Sequence, residues 1–262
     1  MSKSYARRTA EDRPWLGKCS VTQLIRGTRE SYLRIKESYS ISPNEEVFAV
    51  MGSRTHDNLE QYGEGITEER FEFLGITGKP DNYEDGILED FKNSGSYKVA
   101  KVLGIVSEDV PVLNEYGETA VYKSGPRAGQ VKTKKRYYQD WDKADMGDWA
   151  LQLNMYAIIL KHAVQVPVNQ MYVEIFVRDG GLQMAKQRGV EDTRYYLPVK
   201  EMPEQEVVDY FIGKRDDLIR AIEDNELPPM CTEEENWEGN KCKGYCPVSF
   251  ACPDNPHLKE EQ

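Results

Sequence analysis

Asp90 and Lys92 stand two residues apart at the end of a run, from Gly86-Ile87-Leu88 onward, that reads as a β-strand, so their side chains leave the same face. Asp81 closes the preceding run Gly78-Lys79-Pro80-Asp81. The Asp85-Gly86 turn signal between the two runs can bring it alongside Asp90. Two carboxylates converging on one point repel each other unless a cation lies there, and oxygen ligands of this kind suit Mg2+ or Mn2+. A lysine two residues on can hold an attacking water or offset charge that builds on a phosphate. The apolar approach through Ile87 and Leu88, and the rigid Pro80, set these residues apart from a salt-bridged surface strand.

Further polar residues sit where chemistry is conceivable. His56 lies in a helical stretch with Glu60 one turn later on the same face. Gln152 and Tyr156 are spaced i, i+4 on the otherwise apolar Trp149-Ala150-Leu151-Gln152-Leu153-Asn154-Met155-Tyr156. A buried glutamine must pair with backbone or face a site. Near the C-terminus the spacing is Cys231-x10-Cys242-x3-Cys246-x5-Cys252, with Pro247 and Pro253 after two of the cysteines, while Cys19 stands alone. Four thiolates so close together can enclose a tetrahedral Zn2+ or an iron–sulfur cluster.

The ordered series His56, Gly78-x-x-Asp81, Asp90-x-Lys92 and Gln152-x-x-x-Tyr156 resembles the motifs of the RecB-like and Cas4-like nucleases of the PD-(D/E)XK superfamily, in order over most of the chain. That resemblance implies a restriction-endonuclease-like α/β core, with a mixed central sheet flanked by helices. It also implies a metal centre that hydrolyses DNA phosphodiester bonds. His56, Asp81, Asp90 and the backbone carbonyl of Phe91 would hold the metal, and Lys92 would position or activate the water. Gln152 and Tyr156 would arrange the site or the substrate strand. Several members of that family carry a [4Fe–4S] cluster held by one N-terminal cysteine and a C-terminal C-x2-C-x5-C. Here Cys242-x3-Cys246 is one residue longer, and the N-terminal position falls near Gly27-Thr28-Arg29. Cys231 is therefore favoured over Cys19 as the fourth ligand beside Cys242, Cys246 and Cys252, and Zn2+ stays open as the alternative occupant.

The elements that must position these groups are legible in outline. Ser20 can cap a helix running to about Tyr39, and a second helix is expected from about Asn44 to Tyr62. Strands are expected around 70–81 and 86–93, then a region of about 95–140 that reads as an insertion, with short strands near Lys101–Val106 and Ala120–Lys123. An apolar helix from about Met146 to His162 follows. Strands at Met171–Val177 and Tyr195–Leu197 come next, and Pro203 opens an amphipathic helix to about Asp224. This order predicts an α/β nuclease domain over 1–228 and a Cys-rich, cluster-binding segment over 229–262 packed on it.

A net charge of -11 is unusual for a protein that meets nucleic acid, so the local distribution decides. Lys123 to Arg136 forms the concentrated basic segment, with Lys132, Lys134, Lys135 and Arg136 expected to contact phosphates and Tyr137 and Tyr138 directly after. The polar, charged start from Met1 to Arg13 has no apolar leader core, and no run of about 18 apolar residues occurs. The expectation is a soluble, cytoplasmic chain without a membrane partner. It would act on single-stranded DNA or duplex ends, with a recombination or repair protein as partner. The competing reading is a non-catalytic nucleic-acid-binding module with a structural zinc or Fe–S site.

Overall fold

A computed structural model describes residues 2–9 and 15–259 of the chain. Part of the polar start, and the last residues of the acidic end, lie outside the described residues. The architecture is mixed α/β, with several sheets flanked by helices. Among the described residues no helix is long and apolar enough to cross a membrane.

Along the chain, helix α1 (Lys3–Thr9) precedes strand β1 (Cys19–Ser20), α2 (Val21–Leu24) and α3 (Thr28–Lys36). The single helix expected from Ser20 to Tyr39 is therefore two. Ser20 does cap, its hydroxyl accepting from the Gln23 amide, but the chain leaves the helix at Gly27, which is extended before α3 begins. Helix α4 (Pro43–Glu60) matches its expected span, with Ser42 as cap and Pro43 in the first turn.

The expected strand over 70–81 is also divided. After β2 (Ile66–Thr67), β3 (Phe71–Phe73) and β4 (Ile76–Gly78) form a hairpin about Leu74 and Gly75, both at positive φ. Asp81 then lies between β4 and β5 (Asn82–Glu84), and β6 (Ile87–Ser94) carries Asp90. Asp85 and Gly86, both at positive φ, make the two-residue turn that joins β5 to β6. The strand expected at Lys101–Val106 begins only at Ile105: the chain up to Val102 forms α5 (Ser96–Val102), and β7 (Ile105–Pro111) pairs with β8 (Thr133–Gln139). Then come α6 (Asp148–Ile159), β9 (Gln170–Val177), α7 (Gln183–Lys186), β10 (Arg194–Pro198), α8 (Glu204–Asp224) and α9 (Asn240–Gly244). One sheet has the order β1-β4-β3, with β1 parallel to β4. A five-stranded sheet has the order β10-β9-β6-β5-β2, and β7-β8 stand as a two-stranded ribbon.

The chain divides into two compact units, with boundaries inside β6 after Phe91 and inside β9 after Val173. The first unit comprises residues up to Phe91, Asp148–Val173 and Leu197 onward. Its core is built around α6, whose Leu153, Met155 and Ile159 are buried, and around the Val207, Phe211 and Leu218 stripe of α8. Asn154, also buried on α6, is fully used in holding the fold. Its amide donates to the Ala150 and Lys200 carbonyls, and its oxygen accepts from the Met202 amide. The second unit comprises Lys92–Gly147 and Glu174–Tyr196, so it contains the expected insertion together with a later segment. Within it, Asp179 caps α5 by accepting from the Ser96 amide and hydroxyl, both at 2.6 Å.

Gly78 marks the closest approach of α6 to β4. A β-carbon there would stand 2.7 Å from Ile159 Cδ1 and 3.0 Å from Tyr156 Cδ1. Gly78→Ala is expected to destabilise the protein by about 1–3 kcal/mol in denaturant unfolding, through overpacking. Gly213→Ala, on α8 with nothing near its β-carbon, should instead stabilise by about 0.5–1 kcal/mol. Equal responses of the two variants would contradict this account of the packing.

Candidate metal centre

Three side chains of the first unit converge at the spacing of ion ligands. One ligand atom each from His56, Glu68 and Asp81 lies within 4.8 Å of the others. His56, near the end of α4, places Nδ1 3.1 Å from Asp81 Oδ1 and 3.3 Å from Glu68 Oε1. Its ring meets Phe91 edge-on, with centroids 6.2 Å apart. Glu68 was not singled out in the sequence, where Thr67-Glu68-Glu69-Arg70 reads as a polar surface run. It reaches the group because the chain takes a left-handed step at Glu68 (φ 52°) and its amide donates to the Pro80 carbonyl. No local sequence signal marks that contact. Its outer oxygen is paired with the Lys79 ammonium.

Asp81 is only 7% exposed and is held from behind. Its Oδ2 accepts from the Phe91 amide at 2.7 Å, which fixes the carboxylate against β6 and leaves Oδ1 toward His56. Phe91 thus supplies a backbone donor to a carboxylate of the group. Asp90, 1% exposed, lies one register step beyond the Asn82–Glu89 pair of β5 and β6, and so opposite Asp81. Gln152 answers the question its burial raised. Its amide donates to Asp90 Oδ1 at 3.2 Å and to the Tyr156 hydroxyl at 3.0 Å, so it faces the site. Burial first, and the negative charge of Asp90 next, push the Tyr156 phenol well above its ordinary value. Tyr156 therefore stays neutral and serves as a hydrogen-bonding group. Lys92 continues β6 two residues beyond Asp90 and is the first residue of the second unit.

A hollow of about 210 Å³ beside this group is lined by Arg70, Lys79, Tyr156, Thr77, Ser20 and Thr22. Two cations and several hydroxyls next to clustered carboxylates can receive an anionic group. The group itself offers one imidazole nitrogen and carboxylate oxygens and could hold a metal ion, a donor set that does not select one cation.

The cysteines are arranged differently. Cys19 is buried in β1, in register with Ile76. Gly27 packs against Cys231, whose Sγ would be 2.4 Å from a β-carbon at position 27. The sulfur of Cys231 thus fills the space that a side chain at the break between α2 and α3 would occupy. Arg29, 6% exposed, donates to the Pro228 carbonyl at 2.8 Å, to Asp254 at 2.5 Å and to Cys252 Sγ at 3.6 Å. Buried Glu30 takes Lys241 at 2.5 Å and Arg34 at 2.8 Å. Burial pushes the Cys231 and Cys242 thiols up and takes Cys246 to about 11, so these thiols are protonated at neutral pH in the absence of a metal. A lone tetrahedral ion with Zn–S bonds of about 2.3 Å would hold its sulfurs roughly 3.8 Å apart. Among the described residues no three of the cysteine sulfurs converge within 4.8 Å.

No family model matches the chain, and no curated protein does. Among solved structures it is similar to one titled "Crystal structure of SSO0001", with a TM-score of 0.44 and 15% identity over 97% of this chain and 93% of that one. A likeness at that level carries no argument about function.

Calorimetric titration of metal-stripped protein with Mn2+ is expected to show binding that falls at least about tenfold in His56→Ala and in Asp81→Ala, with a measurable loss in Glu68→Gln. Unchanged affinity in all three variants would place the ion elsewhere.

Proposed function

We propose that the chain is a divalent-metal-dependent deoxyribonuclease with a restriction-endonuclease-like core, related to the RecB-like branch of the PD-(D/E)XK enzymes. The observation that carries this reading is the convergence of His56, Glu68 and Asp81 at ion-ligand spacing, next to buried Asp90 and its partners Gln152 and Tyr156. Motif order alone left these residues scattered over a hundred positions of sequence.

When bound, the cation would supply Lewis acidity toward a phosphate oxygen and favour ionisation of water at neutral pH. The protein's own groups do the rest. Asp81, held by the Phe91 amide, and Asp90, held by Gln152, present fixed carboxylates that need not reorganise during the reaction. Lys92, on the same face of β6 as Asp90 by strand alternation, offsets the charge that grows on the phosphate as the bond to the leaving oxygen breaks. Arg70 and Lys79 beside the hollow suit a phosphate of the bound strand. Tyr156, neutral and bonded to Gln152, orients the site without taking a proton. The substrate is DNA, as single strands or duplex ends, in recombination or repair.

Cys231, Cys242, Cys246 and Cys252 are assigned to a structural [4Fe–4S] cluster, with Zn2+ as the alternative. Because the thiols must lose protons to bind, formation of this site is favoured by rising pH. Metal analysis of protein purified without air is expected to find iron, and Cys246→Ser should lose it together with stability of the C-terminal segment. Bound zinc without iron would select the alternative, and neither metal would remove the assignment.

The nuclease reading is tested with end-labelled single- and double-stranded DNA in Mg2+, Mn2+ or EDTA. Cleavage is expected with metal only, falling at least about 100-fold in Asp90→Ala and in Lys92→Ala. Cleavage in EDTA, or undiminished cleavage by Asp90→Ala, would overturn it.

A further inference from the structure

The basic segment of the second unit lies on a two-stranded ribbon and the hairpin beyond it, and its charges are not equivalent. Strands β7 and β8 pair from Ile105↔Gln139 to Pro111↔Thr133. At its base the ribbon is fixed by close backbone approaches within the unit. A β-carbon at Gly104 would stand 2.1 Å from the Asp140 carbonyl, and one at Gly189 would stand 2.9 Å from Ile105. Beyond Pro111 the pairing continues through Val112 N to Lys132 O at 2.8 Å, and the ribbon then forks into two short hairpins. The first, through Asn114 and Glu118, carries Glu115 and Glu118. The second is closed by Tyr122 N to Gln130 O at 3.0 Å and by the Val121↔Val131 bridge.

From Thr119 to Tyr138 the chain holds Lys123, Arg127, Lys132, Lys134, Lys135 and Arg136 and no acidic residue, in a protein of net charge -11. The pairing sorts these cations. Arg136 forms an ion pair with Glu108, its register partner, and Lys135 stands opposite Asp109. Among the described residues Lys123, Arg127, Lys132 and Lys134 have no acidic partner. Arg127 and Lys132 lie over the Tyr122 ring, 5.7 Å and 5.3 Å from its centroid, which gathers charge at the second hairpin.

We propose that this hairpin and the adjoining face of β8 form a single-strand nucleic-acid-binding surface of the second unit, carried by Lys123, Arg127, Lys132 and Lys134. The arrangement of charges is independent of the nuclease reading; only the choice of a nucleic-acid ligand rests on it. Lys132, Lys134 and Arg136 alternate on one face, about 6.8 Å apart at strand rise, so their charges form a row along which a phosphate backbone can run. Tyr138 continues the same alternation and is 45% exposed, which offers a base a ring to stack on. A lipid surface is the poorer fit, because the hairpin tip Lys123-Ser124-Gly125-Pro126-Arg127-Ala128-Gly129 has no large apolar side chain to insert.

The test uses full-length protein in EDTA, so that binding is read without cleavage, and a fluorescent oligothymidylate as probe. Wild type is compared with Lys123→Ala/Arg127→Ala/Lys132→Ala, with Lys143→Ala, an exposed lysine of the same unit paired with Asp140, as control and thermal unfolding to verify the fold. The triple variant should bind roughly tenfold or more weakly at moderate salt, and the slope of log affinity against log salt should fall by about 2, or about 0.7 for each lost phosphate contact. Lys143→Ala should change little. A variant with intact affinity and slope would overturn the proposal, as would wild type that binds anionic vesicles but no oligonucleotide, or a loss seen with duplex only. Because cleavage is not measured, failure of the nuclease reading leaves this result to stand or fall alone. Should the triple variant misfold, the single exposed charge reversal Lys123→Glu gives the same readout.

Discussion

Bringing carboxylates together inside a protein is the constraint around which the first unit is organised. Asp81 and Asp90 are both buried, Glu68 closes on the same imidazole as Asp81, and like charges at such spacing resist assembly. Each carboxylate is therefore held by a donor that does not itself fill the centre. Asp81 takes the Phe91 amide, Asp90 takes Gln152, and Glu68 takes Lys79. The supporting elements follow from that need. Gly78 lets α6 come down on β4 closely enough for Tyr156 and Gln152 to reach the carboxylates. The tight turn at Asp85 and Gly86 sets the β5–β6 register that places residues 81 and 90 opposite each other.

The C-terminal segment meets a similar problem with opposite signs. Arg29 and Glu30 are adjacent on α3, both buried, and each is satisfied from the segment that carries the cysteines, through Asp254 and Lys241. The Glu30–Lys241 pair is largely buried on both sides, and such a pair adds little net stability although removing one partner leaves the other unpaired at a cost of about 3–5 kcal/mol; Asp254 is half-exposed, so solvent screens its pair with Arg29. The pairs therefore specify where the segment docks more than how tightly. Gly27 completes the fit by leaving room for the Cys231 sulfur.

Much of the centre was legible because its signals are local. Asp90 and Lys92 alternate on a strand, Gln152 and Tyr156 share a helix face, and a glutamine on an apolar helix demands a partner. Asn154, two residues along the same helix, shows the limit of that logic: equally buried, it is spent entirely on backbone groups. Glu68 was not legible, because its contact depends on one left-handed residue and on the Pro80 carbonyl twelve positions away. The break at Gly27 was missed for a related reason. Residues 20–36 carry apolar positions at helical spacing, whereas the chain breaks at Gly27, whose missing side chain leaves room for Cys231 two hundred positions later. In the second unit, the apolar residues of 101–106 suggested a strand, whereas the helix capped by Asp179 at Ser96 runs to Val102 and the strand begins only at Ile105.

Whether Asp90 and its neighbours are held against their own repulsion for a cation, as proposed, is decided by the stability of Asp90→Asn, measured by chemical unfolding in EDTA and again in Mn2+. Asparagine can keep the oxygen that accepts from Gln152, while it removes the charge and turns the second oxygen into an N–H donor. The variant is predicted to exceed wild type by about 1–3 kcal/mol in EDTA and to gain little from Mn2+, which stabilises wild type. A variant less stable than wild type in EDTA, and still stabilised by Mn2+ to the same extent, would contradict the account.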